Sequence, residues 1–85
     1  MKTFDYTIQD ALGIHARPAR MLAKLAKDCG LEVTITKGEK SVAATKLLAL
    51  MSLGVKCGDT ITVTISGEGE EAAEQEIRAF LEANV

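Results

Sequence analysis

The sequence predicts an α+β fold, an open-faced β-sandwich of order β-α-β-β-α-β-α. Three helices cover one side of a four-stranded, mostly antiparallel sheet. Three observations carry this expectation. The segments around residues 4–8, 31–36 and 60–66 alternate apolar with polar residues, the period of a strand with one buried face. The stretches between them place apolar residues every three or four positions, the period of a helix with one buried face. No linker, repeat or low-complexity stretch interrupts the 85 residues, so these faces must bury each other in one modest core, a single domain over residues 1–85.

The first strand is read from Phe4, Tyr6 and Ile8, which alternate with polar neighbours. Asp10 to Gly13 is a loop. A helix follows over about Ala16 to Asp28, with Ala19, Leu22, Ala23 and Ala26 on its apolar face and Gly30 as its stop. Leu31, Val33 and Ile35 alternate with Thr34 and Thr36 in a second strand. Lys37-Gly38-Glu39-Lys40 is a turn into a short third strand, Ser41 to Ala44. Leu47 to Leu53 is a short helix ended by Gly54, and Gly58-Asp59 is a turn. Ile61, Val63 and Ile65, set between Thr60, Thr62, Thr64 and Ser66, form the fourth strand. After the Gly67–Gly69 loop, Glu70 to about Ala83 is a helix whose Ala73, Ile77, Phe80 and Leu81 share a face. Its acidic first turn suits the helix dipole.

Composition narrows the function classes. Apolar residues make up 47% of the chain, which is globular. No apolar run approaches the roughly 20 residues of a membrane span, and Met1 to Tyr6 mixes polar and apolar types unlike a signal peptide. A soluble cytoplasmic protein is expected, with no membrane insertion. Cys29 and Cys57 are isolated from each other and from histidine, so no metal site is expected and free thiols are the simplest reading. The net charge of −2 and the scarcity of aromatics argue against nucleic acid. The charge is unevenly spread: six of the twelve acids lie between Glu68 and Glu82, whereas the first helix is basic.

The chemistry concentrates in Gly13-Ile14-His15-Ala16-Arg17-Pro18-Ala19, which holds the only histidine and the only proline. Proline is tolerated just inside a helix start because the first N–H groups have no internal partner. That places His15 at or beside the N-cap of the first helix. The N–H groups of Ala16 and Arg17 are then free, at the positive end of the dipole, and such an end binds phosphate readily. His15 reads as a nucleophile set in a phosphate cradle, with Arg17 as a bidentate phosphate partner. No general base, metal ligand set or substrate pocket is evident beside it, so a stoichiometric carrier is expected and not an enzyme with its own turnover. The residues alone leave open that His15 is an ordinary surface or capping residue.

Two further surfaces bear on this site. Arg17, Arg20, Lys24 and Lys27 are spaced three, four and three apart and form one basic stripe down the first helix. The stripe reads either as a solvated face or as a surface that steers an acidic partner. The second helix is apolar nearly all round. Leu50 and Leu53 are assigned to the core, and Leu47, Leu48 and Met51 to an exposed patch that marks an interaction site.

Residues 13–19 resemble the active-centre signature of the histidine-containing phosphocarrier (HPr) family of the bacterial phosphoenolpyruvate-dependent sugar phosphotransferase system. Leu47-Leu48-Ala49-Leu50-Met51-Ser52-Leu53-Gly54 resembles the short second helix of that family, and the likeness spans essentially the whole chain. The resemblance implies the same architecture. It further implies that His15 accepts a phosphoryl group on Nδ1 from phosphorylated enzyme I and delivers it to the IIA component of a sugar permease. Arg17 and the Ala16 and Arg17 amides would hold the phosphoryl oxygens. Enzyme I and IIA would dock on the first two helices of a monomer.

The chain departs from the pattern at three points. A regulatory serine lies in many members two residues before what is here Leu48; this chain has Lys46, preceded by Thr45. Loss of the serine-phosphorylated form is expected, with weak or no interaction with HPr kinase and the catabolite-control regulator. Thr45 is a weak substitute acceptor, with an N-cap role the better expectation. Leu12 stands where a polar residue often lies, and Arg20 adds a charge to the stripe. Two other readings stay open: a specialised relative serving a nitrogen-type or dihydroxyacetone-type branch, and a small binding module with a basic helix.

Overall fold

The computed structural model describes residues Met1–Val85. Its elements are β1 (Lys2–Thr7), α1 (Ala16–Cys29), β2 (Glu32–Lys37), β3 (Lys40–Ala43), α2 (Leu47–Ser52), β4 (Thr60–Ser66) and α3 (Glu70–Asn84). The order matches the sequence expectation, with ends that differ by a residue or two. Ile8 and Leu31 fall just outside their strands. Ala44 leaves β3 but is fully buried, with its N–H donating to Val33 O at 2.8 Å.

The sheet order is β1-β4-β2-β3, and every pairing is antiparallel. β1 and β2, joined through α1, run the same way but never touch. β4 lies between them, with Phe4 and Ile35 both opposite Val63. The last strand thus splits the β-α-β unit and leaves no parallel contact, so "mostly" antiparallel becomes wholly so.

Strand alternation sends Phe4, Val33, Ile35, Ile61, Val63 and Ile65 to the face beneath the helices, where all are buried. The opposite face carries the threonines. Its side-chain hydroxyls pair across strands, Thr36 with Ser41 at 2.8 Å, and Thr62 donating to Asp5 at 2.7 Å. Helix α1 contributes Pro18, Ala19, Leu22 and Ala26 to the core, while Ala23 is half-buried. Its end is set by Gly30, whose φ of 72° is the left-handed conformation that closes helices. Helix α3 contributes Ala73, Ile77 and Leu81, with Phe80 half-buried. Val85, which the sequence reading left outside the helix face, is also buried and caps α3 through its N–H to Leu81 O.

Helix α2 brings two corrections. Leu50 and Leu53 are buried as expected and Leu48 is 81% exposed, but Leu47 is half-buried against the core. A six-residue helix turns its first residue partly inward because the chain enters from the buried Ala44. Thr45 is not the N-cap: Lys46 holds that position with extended backbone (φ −99°, ψ 97°) and no side-chain capping bond. An ammonium therefore stands where the dipole disfavours positive charge.

A polar latch fixes the far end of α2. Lys37 Nζ donates to Gly54 O at 2.9 Å and pairs with Asp59 at 3.0 Å, while Asp59 accepts the Lys56 N–H at 2.8 Å. The Lys56 amide, and then Lys37, hold the Asp59 carboxyl below its ordinary range. The β2 end and the α2–β4 loop are thereby tied together.

Candidate functional site

The loop into α1 is built on a close backbone contact. Asp10 starts a turn: its Oδ1 accepts the Leu12 N–H at 2.8 Å and its carbonyl accepts the Gly13 N–H at 2.9 Å. Gly13 has φ 67°, and a Cβ there would lie 2.2 Å from Val55 O. Only glycine fits such a position. The next residue uses that same carbonyl: the Ile14 N–H donates to Val55 O at 3.2 Å, and the Ile14 side chain is buried. The chain reaches His15 already anchored on both sides.

His15 is the N-cap of α1 (φ −92°, ψ −174°), and its carbonyl accepts the Ala19 N–H at 3.0 Å. Its imidazole makes no capping bond and stays free for other chemistry, half-exposed. Ala16 and Arg17 are the first two helical residues, so their N–H groups have no partner within the helix. Pro18, buried as the third, adds no unsatisfied donor. The first turn carries no acid that would compete for these donors. Arg17 is exposed and belongs to none of the four ion pairs.

A groove of about 270 Å³ opens beside the imidazole, lined by Asp10, His15, Arg17, Met21, Ala83 and Asn84 together with Pro18. The two ends of the fold meet here because Gln9 and Asp10 N–H both donate to Val85 O, at 2.7 and 2.9 Å. Sequence reasoning paired His15 with Arg17 and missed the rest. Met21 was findable, since it lies one turn beyond Arg17 and Pro18 on the same helix face. Asn84 had no local signal, being brought in only by the packing of α3. Asn84 is held in place by its own amide donating to Phe80 O at 2.9 Å.

The remaining expected residues take two positions. Arg17, Arg20, Lys24 and Lys27 are all exposed along α1 and none is neutralised by an acid of this chain. Leu48 and Met51, 81% and 42% exposed, form the apolar part of α2 that the core leaves uncovered, and Leu12, 71% exposed, adds to the apolar surface of the loop before His15. Lys46 and Thr45 are exposed at the start of α2. Cys29 and Cys57 are free thiols. No group of side chains could hold a metal ion, and no helix is long and apolar enough to cross a membrane.

Residues 2–83 match the sequence model of the family described as "PTS HPr component phosphorylation site". The phosphocarrier protein HPr of Mycoplasma genitalium is 40% identical over 85 residues, 99% of this chain and 97% of that protein. The phosphocarrier protein NPr of Shewanella violacea is 42% identical over 77 residues, 91% of this chain and 85% of that protein. Among solved structures, HPr-C-His from Thermoanaerobacter tengcongensis superposes with a TM-score of 0.92 at 30% identity, over 98% of this chain and 93% of that one. A histidine at a free helix N-terminus, this sheet order and these likenesses agree: the chain belongs to the HPr family of phosphocarrier proteins of the phosphotransferase system.

Proposed function

We propose that His15 accepts a phosphoryl group from phosphorylated enzyme I and passes it to the IIA component of a sugar permease. The observation that carries this reading is the His15 imidazole at the N-cap of α1, which makes no capping bond, beside a helix that starts with Ala16 and Arg17. In uptake, the lone pair of Nδ1 attacks phosphorus in line. The bond between phosphorus and the donor breaks, and its electron pair stays with the donor. The phosphoryl oxygens then accept from the Ala16 and Arg17 N–H groups, with the Arg17 guanidinium alongside. The positive end of the dipole favours the resulting negative charge. Delivery repeats the displacement on the acceptor. Two amides and one solvent-exposed guanidinium make a moderate hold, which suits a group that must leave again. The protein is consumed and regenerated as a carrier and has no turnover of its own.

Enzyme I and IIA dock on α1 and α2. Arg20, Lys24 and Lys27 orient acidic partner surfaces, and Leu48 and Met51, with a smaller share from Leu47, supply apolar contact. The carrier works as a cytoplasmic monomer and binds no nucleic acid. Lys46 offers no hydroxyl, so HPr kinase has no serine substrate here and the catabolite-control regulator no phosphoserine to engage; Thr45 is the one neighbouring hydroxyl.

The test is phosphoryl transfer from phosphoenolpyruvate through purified enzyme I, read by intact mass. One acid-labile phosphoryl group, absent in His15→Ala, is expected; no gain with competent enzyme I would overturn the reading. The likeness to the Shewanella protein, a phosphocarrier whose name differs from that of the HPr relatives, favours one second reading. In it the chain is a specialised paralogue of a nitrogen-type or dihydroxyacetone-type branch. Both use His15, and transfer rates to a panel of IIA domains separate them.

A further inference from the structure

Asp10 is the one acidic side chain among the residues that line the groove beside His15. Asp10 lines it together with Arg17 and the imidazole, and its backbone is fixed on both sides, N–H to Val85 O and carbonyl to Gly13 N–H. Its side chain has a structural task, since Oδ1 accepts the Leu12 N–H at 2.8 Å. That task needs an acceptor atom and not a charge; asparagine or serine closes the same kind of turn. The negative charge is thus surplus to the fold. It belongs to a residue lining the groove beside His15, the side on which a group of nearly two negative charges is to be bound. Asp10, Arg17 and His15 line one groove, and the Debye length at physiological salt is about 8 Å, so a charge on the groove wall is only partly screened across it.

We propose that the Asp10 carboxylate sets the phosphoryl-transfer potential of His15 by favouring the unphosphorylated carrier. Two effects act with the same sign. With the groove empty, the carboxylate attracts the Arg17 guanidinium. With the groove filled, it repels the phosphoryl group and competes with it for Arg17. Asp10 and Arg17 are not among the ion pairs within 4.0 Å, so the influence acts through the field across the groove. Asp10 neither forms nor breaks a bond: the phosphorus–nitrogen bond is made at His15 and broken at the next acceptor, and the carboxylate changes how far that exchange runs. It is a positioning residue, suited to a carrier that must release its cargo.

The inference rests on His15 being the acceptor, and the experiment separates the two. Wild type, Asp10→Asn, Asp10→Ser and Asp10→Glu are each equilibrated with phosphorylated enzyme I, and the phosphorylated fraction is read by intact mass at low and high salt. Asn and Ser both retain an acceptor for Leu12, so the test does not depend on one variant folding. Screened Coulomb repulsion at separations on the order of the Debye length predicts a shift of about two- to tenfold toward the phosphorylated carrier in the neutral variants. The shift should shrink at about 1 M salt, where the Debye length is about 3 Å, and Glu should stay close to wild type. Neutral variants that match wild type at low salt overturn the role of Asp10 while leaving His15 as acceptor. A shift that salt does not reduce and Glu does not rescue also overturns it. No uptake by wild type removes the reading of the site, and this inference with it.

Discussion

The Val55 carbonyl lies so close to Gly13 that a Cβ there would come within 2.2 Å of its oxygen, and the same oxygen accepts the Ile14 N–H. This contact between the loop before α1 and the chain leaving α2 places His15. The left-handed backbone at Gly13 and the absent side chain are both required.

Gly13→Ala is therefore expected to be costly. The left-handed conformation alone costs about 1–3 kcal/mol in a residue with a side chain, and the clash with Val55 adds to it. Urea unfolding should show this loss, and phosphoryl uptake in the folded fraction should fall because the α1 N-terminus shifts. A variant of wild-type stability and uptake would refute this account of the loop.

Arg17→Ala should separate chemistry from folding. The side chain is exposed and unpaired, so stability should move by no more than about 0.5 kcal/mol. A hydrogen bond to a charged group is worth about 1.5–3 kcal/mol, so phosphoryl uptake should slow by about ten- to a hundredfold. Stopped-time intact mass with enzyme I measures the rate, and Arg17→Lys should recover only part of it.

Lys46→Asp should stabilise the protein. It replaces an uncapped helix start bearing a cation with an acceptor side chain of favourable sign. Together these changes are worth about 1 kcal/mol. A rise in the urea midpoint with an unchanged slope is expected, and no change would show that α2 is held by packing alone.

Leu48→Asp should do the reverse of a core substitution. Leu48 is 81% exposed, so the thermal midpoint should hardly move. Affinity for enzyme I should fall by at least about tenfold, since a buried leucine side chain contributes about 1.5–3 kcal/mol. Calorimetric titration distinguishes the two effects.

The latch at Asp59 predicts a pH dependence. Its carboxyl is held below the ordinary range by the Lys56 amide and by Lys37, so the ionised form is favoured in the folded state. The stabilisation is fully present above the unfolded carboxyl value of about 3.9 and is lost as pH falls through the lower folded value. Asp59→Asn should melt lower than wild type at pH 7, and the gap should close in acid. A gap independent of pH would assign the effect to packing.

Much of the fold was legible because the strands alternate strictly. Ile61, Val63 and Ile65 are buried and their threonine neighbours face away, as period two requires. The basic stripe and the His15 N-cap were legible because both depend on local helix geometry around Pro18 and Gly30. Lys46 as the α2 cap was not, because Thr45 is the better capping residue by propensity, and the placement of Ala44 in the core decides which residue turns into the helix.

By itself the sequence determined the order of the elements, the inward faces of the strands and of α1, and the place of His15 at the N-cap of α1, since these follow from backbone periodicity over a few residues. Only the tertiary structure decided that β4 separates β1 from β2 and that Val55 pins Gly13. Only it, too, placed Asn84, sixty-nine positions away, in one groove with His15 and Asp10. The reason is physical. Those contacts join residues far apart in the chain, and what selects them is the burial of all apolar faces at once, a condition that no local window contains.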